Sequence, residues 1–303
     1  MSRGVRFDVG LGAAIRIVVA ILWAAFAGAC DQKAGAEREV DAVVPSGSLE
    51  LPARDLVAET IMAPSRFVEL FSQLEEPGLR IHRVDVDGEV AMVLVEVDEQ
   101  RFEPVLVGAD GASRSGVTAV EALTDFGLDV VIGSSFVSEI HSLTPVGLLQ
   151  IDGTVISDLQ AHGYTRVLGV RQEGLGVVSS RAYHRGIFDS AVQAGPGVVE
   201  EGRLDISERD LKRPKYYRTF VGVCDGKALL GASQVPMNLH AVGKRLLEYL
   251  AEIGEQCDEV VNLAGDREVV LARLSPDRRR VTYFGHPFTA KAGLLGFRRR
   301  EGN

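Results

Sequence analysis

The sequence predicts an α+β domain: a largely antiparallel mixed sheet with flanking helices. Two observations lead to this class. Many short apolar runs are separated by glycine-containing turns such as Asp87-Gly88, and only three segments show helical periodicity. With 303 residues, 46% of them hydrophobic, the chain can bury one large core or two ordinary ones. We expect a single domain over residues 65–290, after an N-terminal signal and tether and before a basic tail at 291–303.

The first residues have the pattern of an export signal. Arg3, Arg6 and Arg16 precede an uncharged run at 17–29. This run is shorter than the about 20 apolar residues that a membrane span needs, and it has the length of a signal-peptide core. Residues 1–29 are therefore predicted to be a signal peptide.

The end of this signal allows more than one form of export. Small residues directly before Cys30 resemble a bacterial lipobox, after which Cys30 would carry the lipid. Ala27 stands where a lipobox usually has leucine, so plain secretion and an uncleaved anchor are the alternatives. The favoured localisation is extracytoplasmic, as a lipoprotein attached to the membrane through its N-terminal lipid, with residues 30–64 as the tether.

Export places the two remaining cysteines in an oxidising compartment. Cys224 and Cys257 either form a disulfide or stay as two buried thiols. Neither a CxxC motif nor a nearby pair of histidines accompanies them, so no metal site is predicted.

The elements follow from apolar spacing. Apolar residues recur at helical intervals between 67 and 74, which predicts a short helix. Residues 116–126 predict a second helix closed by Gly127, and a third begins at the N-cap Asn238 and ends at Gly254. Strand-like runs lie at 79–86, 89–97, 102–109, 128–136, 146–157, 166–172, 175–180, 191–204, 218–233, 258–263 and 278–285.

Composition and motifs exclude several functions. A net charge of −9 argues against general nucleic-acid binding, which needs a concentrated basic face. The arginine clusters at 278–280 and 298–300 are typical of solvated ends. The sequence has no phosphate loop, dinucleotide fingerprint or HExxH motif, so no cofactor is predicted.

Three blocks of sequence carry a more specific signal. The first joins "LDVVIGSSF" at 128–136 to "TPVGLLQIDGTVIS" at 144–157, and the second is "AVQAGPGVVEEGRL" at 191–204. The third runs from "RTFVGVCDGKALLGAS" at 218–233 to "CDEVVNLAGD" at 257–266. In this order they resemble the NAGPA-type phosphodiester glycosidase domain family, over about residues 78–274.

The resemblance implies a protein that acts outside the cytoplasm on a phosphodiester at a sugar's anomeric carbon. Arg218 matches the family arginine and would hold phosphate oxygens as a bidentate clamp. Gln193, Gly195 and Asn262 match further family positions and are the other predicted substrate-binding residues. The implied partner is a sugar phosphate or glycan of the cell envelope.

Two turns depart from the family pattern. Ala264 replaces the aspartate of Asp-Gly-Gly and Asp266 replaces its second glycine, while Gly133-Ser134-Ser135 replaces Asn-Gly-Gly. The candidate catalytic residues are therefore Asp266, Ser134 and Ser135, taking over part of the lost chemistry. On a regular strand Asp266 would lie about 6–7 Å from the family position, too far unless the turn folds back.

Three functions are compatible with these residues. The chain is a divergent hydrolase, an inactive protein that binds a phosphorylated glycan, or a structural or partner-binding envelope lipoprotein. Arg218 supports the first two unless it only pairs with a core carboxylate such as Asp225 or Asp189. Gln193 supports them unless its amide only satisfies backbone groups.

Overall fold

The structure is a computed structural model that describes residues 46–50, 59–61, 64–110, 116–138 and 143–302. The predictions of a signal peptide at 1–29 and of lipidation at Cys30 lie outside the described residues. No described helix is both long enough and apolar enough to cross a membrane.

Strands dominate the described part of the chain. In chain order they are β1 (Ser46–Glu50), β2 (Glu59–Ile61), β3 (Leu79–Val86), β4 (Glu89–Asp98), β5 (Phe102–Gly108), β6 (Val130–Gly133), β7 (Leu149–Ile151), β8 (Thr154–Ser157), β9 (Arg166–Arg171), β10 (Gly174–Ser179), β11 (Ser190–Ala194), β12 (Gly197–Glu200), β13 (Arg203–Leu204), β14 (Arg218–Cys224), β15 (Lys227–Ser233), β16 (Cys257–Gly265), β17 (Val270–Leu274), β18 (Arg280–Gly285) and β19 (Gly293–Arg299). The α-helices are α1 (Pro64–Ser72), α2 (Ala119–Thr124) and α3 (Leu239–Ile253).

The strands form three antiparallel sheets. Sheet A has the order β2-β1-β18-β17-β6-β19-β5, sheet B the order β10-β9-β11-β7-β8, and sheet C the order β13-β12-β16-β14-β15-β4-β3. Sheets A and C are seven-stranded and sheet B is five-stranded.

The predicted α+β class is wrong, because the sheets bury one another instead of lying under a layer of helices. One large core is lined by side chains of all three sheets, the arrangement of packed β-sheets. Of the helices, α1 contributes Phe67 and Phe71 to this core, while α2 and α3 cover parts of the outer faces of sheets A and C. Apolar side chains of this core include Val130 and Leu271 from sheet A, Leu168 and Val192 from sheet B, and Val221 and Val261 from sheet C.

The three predicted helices are present, and local signals explain the longest of them. The Asn238 side chain accepts a hydrogen bond of 2.9 Å from the Ala241 N–H, and Gly254 ends α3 in the left-handed conformation with φ 73°. Val242 and Leu246 of α3 then bury the outer face of sheet C.

Both segments predicted to flank the domain contribute strands to sheet A. Residues 46–50 and 59–61, within the predicted tether, are strands β1 and β2 at one edge of the sheet. The predicted tail at 291–303 contains β19, which lies between β5 and β6. Its apolar residues 294–297 are buried, and Arg298 and Arg299, which follow, are exposed.

Sheet A contains a fully buried cation. The Arg273 side chain on β17 is fully buried, and its Nη2 is 3.0 Å from Glu76 Oε1, while its Nε and Nη1 have no hydrogen-bond partner. Glu76 Oε2 is 2.7 Å from Arg299 Nη2. The pKa of Arg273 is lower than its ordinary value, because the effect of burial outweighs the opposing effect of Glu76.

A disulfide joins Cys224 and Cys257, which are register partners at the adjacent ends of β14 and β16. It lies at the end of β14 opposite to Arg218.

Candidate functional site

Two turns meet at the beginning of β14. Gly133 ends β6 of sheet A, and its carbonyl accepts a hydrogen bond of 3.3 Å from Thr219 Oγ1. Gly265 ends β16 of sheet C and is the register partner of Arg218. The start of β14 thus lies close to both turns: Arg218 pairs with Gly265, and the side chain of the next residue, Thr219, which points to the opposite face of the strand, contacts Gly133.

Arg218 is partly buried, and its guanidinium contacts an aromatic ring. Its backbone N–H donates to Ser233 Oγ over 2.8 Å, and its guanidinium carbon lies 4.9 Å from the centre of the Tyr216 ring. The Nε atom is buried without a hydrogen-bond partner. A Cβ atom at Gly265 would lie 3.2 Å from Nη1, so the glycine leaves room for the guanidinium.

No carboxylate of the described residues forms an ion pair with Arg218, including the two partners considered from the sequence, Asp225 and Asp189. Burial lowers the pKa of Arg218, whereas Asp210 and Asp266 raise it from a longer distance. The guanidinium is thus partly removed from water without a contacting counter-charge.

The carboxyl of Asp266 lies within range of the Arg218 charge, and the chain leaves strand geometry at the preceding residue, Gly265. Asp266 has φ 50° and begins a short 3₁₀ turn, Asp266–Glu268, and its N–H donates to the Tyr217 carbonyl over 3.1 Å. Partial desolvation raises the pKa of the Asp266 carboxyl, and Arg218 and Arg267 lower it. Its carboxyl is therefore close enough to act on Arg218 but does not form an ion pair with it.

The two serines differ in what their hydroxyl groups contact. Both are buried directly after β6. Ser135 Oγ donates to the Gly293 carbonyl over 3.4 Å and accepts from the Gly293 N–H over 2.8 Å. Ser134 Oγ is buried and has no hydrogen-bond partner. Ser135 thus holds the backbone, while Ser134 has an unused hydroxyl near the start of β14.

The Gln193 amide is used fully by the backbone. Its Oε1 accepts hydrogen bonds from the N–H groups of Gln160 (2.8 Å) and Leu148 (3.2 Å), and its Nε2 donates to the carbonyls of Gln160 (2.8 Å) and Tyr164 (2.9 Å). The side chain is fully buried. In this arrangement Gln193 fixes the segment after β8 against sheet B.

Gly195 and Asn262 hold each other at the junction of sheets B and C. The Gly195 N–H donates to the Asn262 carbonyl over 2.9 Å, and Asn262 Nδ2 donates to the Gly195 carbonyl over 3.0 Å. Gly195 has φ 129°, a backbone conformation that favours glycine. The Asn262 Oδ1 atom is buried without a partner. These two residues form a corner separate from the Arg218 contacts.

Three charged or titratable residues at the two turns were not predicted from the sequence. Lys291 is buried, its Nζ lies 3.3 Å from Glu268 Oε2, and it donates to the Arg267 carbonyl over 2.7 Å. The pKa of Lys291 is lower than its ordinary value, because the effect of burial outweighs the opposing effect of Glu268. His286 follows β18 nearby, and burial, Lys291 and Arg267 all lower its pKa. Lys291 and His286 lie far from Arg218 in the sequence and belong to no motif, so no local signal pointed to them.

His286 is expected to make the protein less stable in acid. Its pKa in the native state is lower than the ordinary 6.5, so just below that pH the unfolded chain binds a proton that the native state does not. Above pH 6.5 the titration of His286 leaves the free energy of unfolding unchanged. As the pH falls from 6.5 towards the native pKa, it lowers the free energy of unfolding. The variant His286→Gln should therefore lose less stability than the unmodified protein between about pH 7 and about pH 5 in urea unfolding. The exposed His162→Gln serves as control, and equal losses for all three proteins would contradict this role.

No group of three or more His, Cys, Asp or Glu side chains in the described ranges is arranged to hold a metal ion.

Comparison with known proteins gives a similarity of fold. No protein-family model and no curated protein matches the chain. Among solved structures, the catalytic domain of zebrafish N-acetylglucosamine-1-phosphodiester α-N-acetylglucosaminidase (NAGPA) matches with a TM-score of 0.52 and 16% identity, over 85% of this chain and 89% of that chain. A hypothetical protein from Synechocystis matches with a TM-score of 0.49 and 11% identity, over 85% of this chain and 68% of that chain. At its identity the first similarity establishes a shared fold, in agreement with the resemblance of the three sequence blocks.

Proposed function

We propose that this protein binds the phosphate of a sugar phosphodiester at Arg218, outside the cytoplasm. The observation that carries the proposal is the Arg218 guanidinium, which is partly buried, has a buried Nε without a partner and forms no ion pair within the described part of the chain. A cation without a contacting counter-charge is costly to bury. A phosphate would supply that counter-charge, and its oxygens match the fork of a guanidinium.

The surroundings of Arg218 support an anionic ligand. The Arg218 Nε has no hydrogen-bond partner, and a phosphate oxygen can accept a hydrogen bond from it. The zebrafish neighbour is named for a phosphodiester substrate, and its fold is the one shared here. The export signal predicted at 1–29 would place the protein with the glycans of the envelope, and lipidation at Cys30 would keep it at the membrane.

Hydrolysis of the bound phosphodiester is a second candidate function, and it is favoured by Asp266. Its carboxyl acts on Arg218 and its pKa is raised, which suits a group that gives up a proton. Against it, the position of the family aspartate is Ala264, which is fully buried opposite Thr219. Binding is therefore the function that the geometry supports best.

Binding is tested with an aryl-phosphate-linked N-acetylglucosamine and the purified protein in a calorimeter. We expect Arg218→Ala to weaken the affinity by about 10–100-fold, the effect of losing charge-assisted hydrogen bonds. Arg218→Lys should restore only part of it, because a lysine lacks the fork. The matched control is Arg171→Ala, since Arg171 also stacks on an aromatic ring, 4.6 Å from the centre of Phe188 in sheet B. The proposal fails if the unmodified protein does not bind, or if both alanine variants bind equally well.

The same mixtures test hydrolysis by the release of the aryl phosphate. Turnover by the unmodified protein that disappears in Asp266→Asn would assign the acid to Asp266. Binding without turnover would establish a binding protein.

A further inference from the structure

A single segment, residues 291–293, contacts both turns of the candidate site; we call it the bridging segment. Its Gly293 carbonyl accepts a hydrogen bond of 3.3 Å from the Ser134 N–H, and its Gly293 N–H donates to Ser135 Oγ over 2.8 Å. Its Lys291 Nζ donates to the Arg267 carbonyl over 2.7 Å. One end of the segment thus holds the serine turn and the other end holds the turn after β16.

The backbone of Lys291 is anchored independently of its side chain. The Lys291 N–H donates to the Val117 carbonyl over 2.9 Å, and the Val117 N–H donates to the Lys291 carbonyl over 2.9 Å. Because the backbone is fixed in this way, the Lys291 side chain gives the Asp266–Glu268 turn an anchor in addition to the hydrogen bond from the Asp266 N–H to the Tyr217 carbonyl.

The Asp266–Glu268 turn directly follows Gly265, the residue that lies next to the Arg218 guanidinium. Gly265 lies so close to Arg218 that a Cβ there would be 3.2 Å from Nη1. On the other side, a Cβ at Gly133 would be 2.5 Å from the Glu268 carbonyl oxygen. A shift of the turn would therefore move Arg218 relative to the residue that precedes Ser134.

The Lys291–Glu268 ion pair is almost completely buried. Lys291 is 1% exposed and the Glu268 side chain is 10% exposed, with 3.3 Å between Nζ and Oε2. A buried ion pair adds little net stability, since the loss of hydration offsets the attraction, yet the removal of one partner is strongly destabilising. Its value in such a place is the geometry that it imposes.

We propose that Lys291 is a positioning residue for the anion site: through Arg267 and Glu268 it sets the turn against which Arg218 is placed. The ligand in this inference rests on the proposed function, whereas the contacts do not. No contact of Lys291 with the ligand is required.

Two variants separate positioning from stability. Lys291→Met alone leaves the Glu268 carboxylate buried and unpaired, so it should unfold much more easily. The double variant Lys291→Met/Glu268→Leu removes both charges, leaves the net charge unchanged and should recover most of the lost stability. It still lacks the hydrogen bond to the Arg267 carbonyl. Its affinity for the aryl-phosphate-linked sugar should therefore be about tenfold weaker at a temperature where it is fully folded.

The matched control is Lys227→Met/Glu255→Leu. It removes another lysine–glutamate pair, with 2.7 Å between Nζ and Oε1, at the end of β14 opposite to Arg218. Its affinity should equal that of the unmodified protein. If Lys291→Met/Glu268→Leu also binds with unchanged affinity, the pair serves stability alone and the inference is overturned.

Hydrogen exchange without any ligand tests the contacts separately. In Lys291→Met/Glu268→Leu, the amides of residues 133–136 and 264–269 should exchange about tenfold faster than in the control variant. Equal protection in both variants would overturn the inference. If the unmodified protein binds no phosphodiester, the proposed function fails, and hydrogen exchange alone then decides on the role of Lys291.

Discussion

Replacing Glu76 by leucine is expected to lower the free energy of unfolding by about 3–5 kcal/mol. The carboxylate is the contacting counter-charge of Arg273, whose side chain is fully buried. Without it, a buried guanidinium with two other unpaired nitrogen atoms would remain.

Chemical denaturation followed by circular dichroism measures this loss, and two variants interpret it. Glu76→Leu/Arg273→Met should recover most of the stability, because an apolar pair can replace a buried ion pair at little cost. Glu103→Leu removes the partner of Arg298 on the surface of sheet A and should cost at most about 1 kcal/mol. A Glu76→Leu variant as stable as Glu103→Leu would show that the core tolerates Arg273 without this carboxylate.

Removing the disulfide is expected to cost about 3–4 kcal/mol, mainly by freeing the unfolded chain. Cys224 and Cys257 are 33 residues apart, and the loop between them includes β15 and α3. Closing a loop of this length restricts the unfolded state considerably. The double variant Cys224→Ala/Cys257→Ala should therefore unfold at a lower urea concentration than the unmodified protein.

Reduction provides the control for this experiment. A reducing agent should lower the unfolding midpoint of the unmodified protein and leave that of the double alanine variant unchanged. Equal midpoints for oxidised, reduced and alanine forms would contradict the stabilising role.

Local features of the fold could be predicted from the sequence because neighbouring residues determine them. Asn238 caps α3 through a residue three positions away, and Gly254 ends it with its own backbone conformation. The Asp87-Gly88 turn joins β3 and β4 as expected. None of these features depends on which distant strand lies alongside.

The number of sheets could not be predicted in this way. In β4, Leu94 faces the core beneath α3, whereas Val93 and Val95 face the core shared by the three sheets. Such a strand is apolar on both faces, and its sequence is the same whether a helix or a second sheet covers it. The α+β prediction assumed helices where the protein uses sheets.

The candidate site was predicted in part for a related reason. Residue type and the family pattern identified Arg218 and Asp266, which the fold brings close enough for their charges to interact. The pattern could not show that hydrogen bonds to the backbone use all of the Gln193 amide. Nor could it reveal Lys291, because its contact with Glu268 arises only when β19 enters sheet A.

The place of β19 also determines the order in which this protein can be completed. Phe102 of β5 pairs with Arg299, and Val130 of β6 pairs with Phe297, so both strands need a neighbour that is made much later. While the chain is synthesised from its N-terminus, the edges of β5 and β6 that pair with β19 stay unpaired until residue 299 has been added. Strand pairing over such separations is slow, and unpaired edges invite other chains. During synthesis, the incomplete sheet A is therefore the part of this protein most exposed to pairing with other chains.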